Sequence, residues 1–581
     1  MKTNVQKINH IRQLFIATMV GLLLACGDGH NQHSVVNDTL VYCSEGSPNS
    51  FDPHTVTLGT AHDASARQIY NRLVSFKPGT VDITPSLAVR WRVNSRGDEY
   101  TFYLRKNVAF HSSELFTPTR FFNADDVLFS FNRQRMSDHP YHTVGGKAYT
   151  YFRTQGLQQL INDIIKIDQH TIKFKLNQPS SPFLSMLAME FTSIMSAEYA
   201  AQLNASDNKE LIINKPIGTG PFKFVRYQPD AYIRYQAHDG YWKGEETIKH
   251  LVFAITPDPS LRFARLTANE CDVMSNPLPI HLRATPKGGD LEVLSEQQLN
   301  IAYWAFNTRK PPFDSSLVRR ALNHAINKQA IINAVYFESA VVAINPLPPQ
   351  MWSYNKTIAD YDYNPQLAKN LLYRAGYPDG FEIEISVFPE QRSYNPNAVK
   401  TAELIQEDLK AINVKATIQT YEVGSYFRRV RSGQHHSAIQ GWIADNGDPD
   451  NFFGPLLSCA ATIPGQNIAF WCNKDFDAII TDARKISSKK LRTELYQQAQ
   501  KIFKQEAPWL TLAHSKQSLI VNKRVENLII SPSGGIFFSG VSLADLSHNN
   551  TSETDAALKV GTKNSSEASR KENNNAPEES L

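Results

Sequence analysis

The sequence predicts an α/β fold with more than one domain. Segments with the two-residue alternation of β-strands and segments with the apolar spacing of helices follow one another along most of the 581 residues. The composition is 41% hydrophobic and 20% charged, which is ordinary for a globular protein and sufficient for a large core. No internal repeat is found in the chain.

The first 25 residues predict an export signal. Lys2, Lys7 and Arg12 precede an apolar stretch from Leu14 to Leu24, which is too short to span a bilayer as a permanent helix. The stretch ends in L-L-L-A-C, which resembles the lipobox of bacterial lipoproteins. Cleavage before Cys26 would expose a cysteine for acylation, and several acyl chains give stable anchoring. The alternative is an ordinary secretory signal in which Cys26 is incidental.

Both ends of the mature chain are predicted to lack a fold. Residues 26–37 form a polar tether, and residues 549–581 are predicted to be a disordered tail, because they contain almost no large apolar side chains. No segment between them is long and apolar enough to cross a membrane. We therefore expect an exported, soluble protein in the periplasm that is held to a membrane of the bacterial cell envelope by a lipid.

The charge balance gives no reason to expect a nucleic-acid partner. The formal net charge is +4, from 60 basic and 56 acidic residues, but three of the basic residues lie in the export signal, which holds no acid. The remaining chain is nearly neutral, whereas binding to nucleic acid needs a strongly positive surface.

Four cysteines remain in the mature fold, namely Cys43, Cys271, Cys459 and Cys472. An exported protein folds in an oxidising compartment, so this even number makes them candidates for disulfides. There is no C-x-x-C motif and no cluster of His and Cys that would indicate zinc.

In the first half of the chain, alternation predicts strands at T-L-V-Y-C-S, W-R-V, Y-T-F-Y-L-R and H-T-I-K-F-K-L. Apolar residues at helical spacing predict a helix over residues 62–76. Asn123 is predicted to be the N-cap of a further helix, because acids occupy its first turn and apolar residues at helical spacing follow.

The run P-I-G-T-G-P-F at residues 216–222 is predicted to be a tight turn before the strand F-K-F-V-R-Y. Its two glycines, Gly218 and Gly220, could also cradle an anion. The run fits neither nucleotide-binding motif, however, since Lys223 stands where G-x-G-x-x-G requires its third glycine.

In the second half, a long strand is predicted at L-N-I-A-Y-W-A-F-N-T, followed by a helix at V-R-R-A-L-N-H-A-I. Further helices are predicted over about 366–375, 398–411 and 487–505. Further strands are predicted at I-E-I-S-V-F-P, V-K-A-T-I-Q-T-Y, S-A-I-Q and near 510–522.

The stretch G-W-I-A-D-N-G-D-P-D-N-F-F, residues 441–453, is the strongest candidate for a binding site. Asp445 follows Trp442 by three residues, and an indole beside a carboxylate suits an ammonium group through cation–π attraction and a charge-assisted hydrogen bond. From the residues alone, a solvated turn with Asp and Asn caps is the commoner interpretation. A calcium loop is disfavoured, because the Gly and Glu that it needs are missing and Pro449 is present.

A series of motifs occurs in one order along residues 39–546: L-V-Y-C-S-E-G-S-P, Y-N-R-L-V, L-R-K-N-V-A-F-H, T-P-T-R-F-F-N-A-D-D-V-L-F-S-F-N-R, P-I-G-T-G-P-F, G-Y-W-K-G, F-N-T, T-A-E-L-I-Q and the stretch 441–453. Several of them are weak alone, but in this order they are specific. On these motifs the chain closely resembles the periplasmic dipeptide-binding proteins of ABC importers, in the extracellular solute-binding protein family 5 that also contains oligopeptide, haem and Sap-type binders.

The resemblance implies an α/β, two-lobed periplasmic-binding-protein fold of type II, in the large peptide-binding class. Residues 38–297 and 516–548 would form the large lobe, and residues 298–515 the small lobe. Two crossover strands would act as the hinge, and closure of the lobes would bury the ligand.

The resemblance also implies roles for single residues. In the family, the amino group of the peptide pairs with an Asp in a G-W-x-x-D motif, here Asp445. The carboxylate pairs with an Arg in a Q-R-x-Y-N-P-N motif, here Arg392. Trp442 and Tyr394 would line the cleft, with ordinary packing as an equal alternative for Tyr394. An anion and a cation at a fixed separation would select zwitterions of one length.

The disulfides of the family correspond to the pairs Cys43–Cys271 and Cys459–Cys472. The second pair would close a short loop.

The implied function is a substrate-binding lipoprotein, a monomer without cofactor or metal, that delivers dipeptides or short peptides to an inner-membrane ABC permease. The alternative is a haem- or glutathione-binding lipoprotein of the same family, or a Sap-type antimicrobial-peptide binder. His435 and His436 could be invoked as haem ligands, but solvated loop histidines are commoner. An enzyme is not expected, because H-E-x-x-H, G-x-S-x-G and S-x-x-K with its partner motifs are absent. An adhesin role is compatible with the tether and the tail.

Overall fold

The structure is a computed structural model that describes residues 38–146, 149–462 and 465–544. The predicted export signal, the lipidation site Cys26, the tether 26–37 and the tail 549–581 lie outside the described residues.

Strands and helices alternate along the described chain, which confirms the predicted α/β class. The strands are β1 (Thr39–Ser44), β2 (Val74–Phe76), β3 (Ile83–Pro85), β4 (Ala88–Val93), β5 (Glu99–Leu104), β6 (Ile161–Asp168), β7 (Thr171–Leu176), β8 (Phe222–Gln228), β9 (Tyr232–Ala237), β10 (His250–Ile255), β11 (Val273–Ser275), β12 (Leu291–Gln297), β13 (Asn300–Phe306), β14 (Ala340–Val342), β15 (Phe381–Val387), β16 (Val414–Thr420), β17 (Ser437–Ile443), β18 (Trp509–Asn522), β19 (Val525–Glu526) and β20 (Ser542–Leu543).

The α-helices are α1 (Gly59–Ala64), α2 (Ala124–Arg135), α3 (Thr150–Thr154), α4 (Leu157–Leu160), α5 (Phe183–Leu187), α6 (Ala197–Ala205), α7 (Leu211–Asn214), α8 (Pro259–Thr267), α9 (Pro279–Ala284), α10 (Ser316–Ala325), α11 (Lys328–Ile331), α12 (Pro365–Arg374), α13 (Ala398–Lys410), α14 (Val423–Arg431), α15 (Asp450–Leu457), α16 (Lys474–Lys485) and α17 (Lys489–Glu506). Short 3₁₀ segments lie at Glu190–Thr192 and Ala460–Thr462, and a π-helical turn at Ile332–Tyr336.

One long sheet runs through the described part of the chain in the order β16-β15-β17-β13-β18-β11-β1-β10-β9-β8, with β12 and β14 also paired to β18. Strand β18 joins its two halves. The first half of β18 pairs with β13, and its second half pairs with β11 and β12. A separate antiparallel sheet has the order β4-β5-β7-β6.

The buried apolar side chains divide in the same way as the sheet. One cluster is drawn from residues between Leu40 and Val273 together with residues from Leu519 to Val541. Two others are drawn from residues between Leu299 and Ala513. Side chains within one cluster bury apolar area against each other, which makes each cluster a separate centre of stability.

The N-cap predicted at Asn123 is confirmed. Its side chain accepts a hydrogen bond from the Asp125 amide at 2.8 Å, and the Asp126 carboxylate accepts one from the Asn123 amide at 2.9 Å. This reciprocal capping box satisfies two amides that the first turn of a helix leaves free.

The tight turn predicted at Gly218 and Gly220 is also supported. A Cβ at Gly218 would lie 2.0 Å from the Ile69 carbonyl oxygen, and one at Gly220 would lie 2.5 Å from the Gln68 oxygen. Glycine is needed here because another segment of backbone passes against the turn. The close contact is with protein backbone, which favours the structural interpretation over an anion cradle.

The helix predicted over residues 62–76 is wrong beyond Ala64. The chain continues as turns and then as strand β2. The Gln68 and Ile69 carbonyls accept hydrogen bonds from the amides of Phe222 and Gly220, at 3.1 and 2.8 Å. Partners distant in sequence therefore take the carbonyls that a helix would have used, while the apolar residues of the segment are still buried.

Both predicted disulfides are present, Cys43–Cys271 with Cα atoms 5.8 Å apart and Cys459–Cys472 with Cα atoms 4.6 Å apart. The first lies between β1 and the start of β11, and the second closes a loop with a sequence separation of 13.

Removing the second bridge with the double substitution Cys459→Ser and Cys472→Ser should lower the free energy of unfolding by about 3 kcal/mol, because the unfolded chain regains the entropy of an open loop. Guanidinium unfolding of the oxidised wild type and the double variant measures the difference. Peptide mapping without reduction controls for the pairing. Equal unfolding midpoints in the two proteins would argue against the bridge.

Candidate functional site

The stretch 441–453 leaves the sheet where its inner strand ends. Strand β17 lies between β13, to which it pairs antiparallel, and β15, to which it pairs parallel. Strand β17 ends at Ile443, and α15 begins at Asp450, so Asp445 lies in the connection between an inner strand and a helix. Ligands commonly bind at such connections, where polar groups emerge from a rigid sheet.

Asn451 fixes the connection. Its side-chain oxygen accepts hydrogen bonds from the Asp445 amide at 3.0 Å and from the Trp442 indole nitrogen at 3.1 Å. Its amide nitrogen donates to the Asp445 carboxylate at 3.3 Å. The hydroxyl of Tyr151 donates to the other carboxylate oxygen of Asp445, also at 3.3 Å. One asparagine therefore orients both members of the Trp–Asp pair that the sequence singles out.

The Asp445 carboxylate lacks a cationic partner within the described part of the chain, and its two side-chain hydrogen bonds are long. Burial raises the pKa of Asp445 to about 7, and the charge of Glu190 adds to this shift. The hydrogen bonds from Asn451 and Tyr151 and the charge of Arg67 act in the opposite direction. A carboxylate that is costly to ionise in the empty site gains the most from an incoming cation.

Asp445 opens onto a cavity of about 380 Å³. Its walls come from segments far apart in the chain. They include Tyr42, Glu45, His62, Asp63, Arg67, Tyr151, Glu190, Ser275, Gln298, Ser393, Tyr394, Phe427, Arg431, Gly441, Trp442, Asp445 and Gln466. The volume falls within the range of small-molecule sites, and charged groups of both signs line it, as a zwitterion would need.

A cluster of charged side chains forms another part of the cavity wall. Arg67 pairs with Asp63 at 2.6 Å and donates through Nε to Glu190 at 2.9 Å. Asp63 also accepts a hydrogen bond from the Ile536 amide at 2.9 Å. His62 lies beside them, with its Nδ1 buried and without a hydrogen-bond partner among the described residues. This arrangement holds a guanidinium between two carboxylates inside the cavity.

The environment sets the charge of each member of this cluster. Burial raises the pKa of Asp63 to about 6, although Arg67 opposes the shift. Burial acts in the same direction on Glu190, but Arg67, Arg72 and His62 together lower its pKa to about 2. Burial lowers the pKa of His62 to about 4. The cluster therefore presents a neutral imidazole and an ion-paired network at neutral pH.

The structure brings three of the four predicted ligand-binding residues to the cavity wall, namely Asp445, Trp442 and Tyr394. Arg392 is not among the residues of the wall. Its guanidinium lies 5.3 Å from the centre of the Phe388 ring, and its charge opposes the burial that raises the pKa of Tyr394 to about 12. Arg392 thus lies beside Tyr394 but is not itself part of the wall.

Tyr394 lies where it does because residue 441 is a glycine. A Cβ at Gly441 would lie 2.2 Å from the Tyr394 ring and 2.5 Å from the Ile301 carbonyl oxygen. The ring therefore packs directly against the backbone of strand β17 at Gly441. The Tyr336 hydroxyl donates a hydrogen bond to the Tyr394 carbonyl at 2.9 Å, which anchors its backbone.

The sequence analysis missed Tyr151 and the cluster of His62, Asp63, Arg67 and Glu190. Tyr151 meets Asp445 across 294 residues of chain. No local motif marks these side chains, and only the folded arrangement brings them to the cavity.

Of the two histidines considered as haem ligands, His435 bonds to the protein backbone. His435 is buried, and its Nε2 lies 2.9 Å from the Ile468 carbonyl oxygen. Burial lowers its pKa to about 4. Neither His435 nor His436 belongs to the cavity wall.

The described residues contain no group of three or more His, Cys, Asp or Glu side chains that could hold a metal ion. No helix among them combines the length and the apolar character needed to cross a membrane.

Comparison with known proteins gives one family match over most of the chain. The model for bacterial extracellular solute-binding proteins, family 5 Middle, matches residues 82–463. The dipeptide-binding protein of Escherichia coli is 47% identical over 511 residues, which is 88% of this chain and 95% of that protein. Heme-binding protein A of Haemophilus influenzae is 45% identical over 507 residues, which is 87% of this chain and 92% of that protein.

Solved structures give the same result. The crystal structure of a dipeptide-binding protein from a Pseudoalteromonas species, in complex with Met-Leu, has a TM-score of 0.79 and 41% identity to this chain. The match covers 87% of this chain and all of that chain. It confirms the predicted two-lobed α/β fold of periplasmic binding proteins.

Proposed function

Because this chain belongs to the bacterial extracellular solute-binding proteins of family 5, we propose that it is the substrate-binding protein of an ABC importer. It captures dipeptides or short peptides in the cavity beside Asp445 and delivers them to a permease in the inner membrane. It binds its ligand without changing it chemically and acts as a monomer.

One observation carries this proposal. Asp445 is a carboxylate in a cavity wall, oriented by Asn451 and without a cationic partner among the described residues, and Trp442 is anchored next to it. A peptide α-ammonium supplies the missing positive charge and several hydrogen-bond donors. The α-carboxylate of the peptide pairs with Arg392, which lies beside Tyr394 of the cavity wall.

Haem or glutathione is the second candidate ligand, and a Sap-type antimicrobial peptide is a further alternative. The haem candidate is favoured by the 45% identity to heme-binding protein A and by His62, a neutral imidazole in the cavity wall. The polar and charged lining of the cavity favours the peptide.

Native mass spectrometry of protein purified from cells under gentle conditions tests the choice of ligand. The peptide proposal predicts retained masses of dipeptides or short peptides, which disappear after unfolding and refolding. Calorimetric titration of the refolded protein with Ala-Ala should then show binding. A retained mass of haem or glutathione, together with no heat from any dipeptide, would overturn the proposal.

The pH should control affinity through Asp445. Its pKa is about 7 in the empty site, and only the ionised carboxylate pairs with an ammonium. The pairing lowers this pKa in the complex, so binding releases a proton below pH 7. The affinity for a free-amine dipeptide should therefore fall by up to about tenfold for each pH unit below about 7.

Calorimetry between about pH 5 and pH 7.5 measures this dependence. Over this pH range the α-amino group of the ligand remains mostly protonated. The Asp445→Asn variant is the control, and its weaker affinity should vary much less over the same range, because Asp63, the pKa of which is about 6, is already paired with Arg67. A flat profile in the wild type would show that Asp445 does not titrate on binding.

The two lobes that close on the ligand are residues 38–297 with 516–548, and residues 298–515. The division of the buried clusters near residues 298 and 515 supports these boundaries, as does the joining of the two halves of the sheet through β18. The hinge consists of two segments that cross between the lobes. One is the connection between β12 and β13, and the other is the middle of β18.

A lipid on Cys26 anchors the mature protein to a membrane, as the L-L-L-A-C sequence suggests. The Cys26→Ser variant should therefore be released into the soluble periplasmic fraction, because it offers no thiol for acylation. Membrane fractionation of cells measures whether the variant is released, and an unrelated periplasmic protein is the control for lysis. A variant that still sediments with membranes would show that the anchor is not this lipid.

A further inference from the structure

We infer that Arg431 forms a second anion-binding subsite beside Arg392, which makes peptides with a C-terminal Asp or Glu a favoured ligand class. This inference rests on the proposed function, because it assumes that the cavity holds peptides. It goes further by assigning a role in side-chain specificity to a residue outside the two terminal anchors.

Two neighbouring aromatic rings, Phe388 and Phe427, separate the guanidiniums of Arg392 and Arg431. The Arg392 Cζ is 5.3 Å from the centre of the Phe388 ring. The Phe388 and Phe427 rings are 5.9 Å apart, and the Arg431 Cζ is 5.3 Å from the centre of the Phe427 ring. Phe427 and Arg431 both belong to the cavity wall. The two arginines therefore flank one pair of neighbouring rings, each against its own ring.

Neither guanidinium has an acidic partner within ion-pairing distance among the described residues. Arg392 donates to the Gln391 carbonyl at 3.3 Å, and Arg431 donates to the Gln466 side chain at 3.4 Å. Burial lowers the pKa of Arg431, and no neighbouring carboxylate opposes this shift. The contacts of Arg431 are thus a long hydrogen bond to Gln466 and the Phe427 ring, both neutral groups. A guanidinium with neutral neighbours retains most of its capacity to bind an anion.

The neighbouring arginines of helix α14 show that this position is specific. Arg429 pairs with Glu384 at 3.3 Å, and Arg428 donates to Ser425 at 2.8 Å. Neither belongs to the cavity wall, whereas Arg431 does. Gln466, its partner, lies in the loop closed by the Cys459–Cys472 disulfide, so a covalent bridge limits the movement of this part of the wall.

The ligand chemistry follows from the two charges. A dipeptide bound with its ammonium on Asp445 and its α-carboxylate on Arg392 carries its second side chain at the Arg392 end. A carboxylate on that side chain then lies on the same side as Arg431, and a guanidinium can bind it through two parallel hydrogen bonds. A basic side chain at the same place would meet two positive charges and bind more weakly.

The test compares Ala-Glu with Ala-Gln, which differ by one charge and hardly in shape, on the wild type and on Arg431→Gln. The wild type should bind Ala-Glu about tenfold more tightly than Ala-Gln, and the variant should bind the two peptides about equally. Arg428→Gln is the matched control, since it removes an exposed arginine of the same helix that does not line the cavity, and it should retain the wild-type preference.

The outcomes separate this inference from the proposed function. Binding of both peptides without a preference, unchanged in Arg431→Gln, would overturn the inference and leave the proposed function intact. An equal loss for both peptides in Arg431→Gln would also overturn it, because Arg431 would then act on the peptide main chain or on the fold. Failure of the wild type to bind either peptide would overturn the proposed function and the inference with it.

Discussion

The Asp445→Ala variant should bind a free-amine dipeptide about 30- to 5000-fold more weakly than the wild type, a loss of about 2–5 kcal/mol. The ammonium of the peptide would enter a site that no longer offers the carboxylate beside Trp442. Arg67 and its two carboxylates are already paired with one another and cannot substitute for Asp445. An ammonium left without its partner in a partly dehydrated site loses far more than a neutral group does.

The chemistry of the ligand gives the first control. An N-acetylated dipeptide has no ammonium, so Asp445→Ala should change its affinity much less. The Asp445→Asn variant keeps the size of the side chain and hydrogen-bonding groups while removing the charge, and it should resemble the alanine variant with the free amine. Calorimetric titration of each protein with the free and acetylated forms of one dipeptide measures both effects.

The chain also offers a control for general loss of charge or stability. Asp482→Ala removes an exposed carboxylate on helix α16. Asp482 does not line the cavity, so both affinities should remain unchanged. If Asp445→Ala binds the free dipeptide as tightly as the wild type, Asp445 does not bind the α-ammonium of the peptide. A haem-like or other ligand would then be the better explanation of the site.

Much of the fold could be predicted because local periodicity and local partners determine it. The alternation in Y-T-F-Y-L-R matches the burial of Tyr100, Phe102 and Leu104 on one face of β5. The N-cap at Asn123 depends on side chains within three residues. In both cases the interactions that decide the structure are made by residues close together along the chain.

The helix predicted beyond Ala64 shows where this reasoning fails. Its apolar residues are buried as expected, but the carbonyls of Gln68 and Ile69 bond to the turn before β8, some 150 residues later in the chain. Apolar spacing reports which side chains are buried and does not report where the backbone hydrogen bonds go.

The same distinction divides the candidate site. Trp442 and Asp445 lie three residues apart on one connection, so a local motif could indicate them. Tyr151 and the cluster of Asp63, Arg67 and Glu190 come from a distant part of the chain and carry no motif. Burial raises the pKa of Asp445, and among these distant residues Glu190 adds to the shift whereas Tyr151 and Arg67 oppose it. Its chemical type was predictable from the sequence, whereas its protonation behaviour was not.

The Arg392→Ala variant should show the opposite ligand dependence from Asp445→Ala. A dipeptide with a free α-carboxylate should bind about 30- to 5000-fold more weakly, whereas the same dipeptide with a C-terminal amide should lose much less. The physical reason is that Arg392 has no acidic partner among the described residues and rests on the Phe388 ring, so its charge is available to the ligand.

Arg392→Lys separates charge from geometry. Lysine keeps the positive charge but lacks the planar pair of donors that matches a carboxylate, so it should recover only part of the affinity. Arg374→Ala, which removes an exposed arginine of helix α12, should bind both forms of the dipeptide as the wild type does.

Titration with the free, acetylated and amidated forms of one dipeptide makes the two terminal contacts independent tests of one binding mode. If the mode is correct, Asp445→Ala discriminates only against the free amine and Arg392→Ala only against the free carboxylate. Equal losses for the acid and the amide in Arg392→Ala would indicate that Arg392 supports Tyr394 and the cavity wall. The α-carboxylate would then have to pair with another cation at this side of the cavity, and Arg431 is the guanidinium placed to do so.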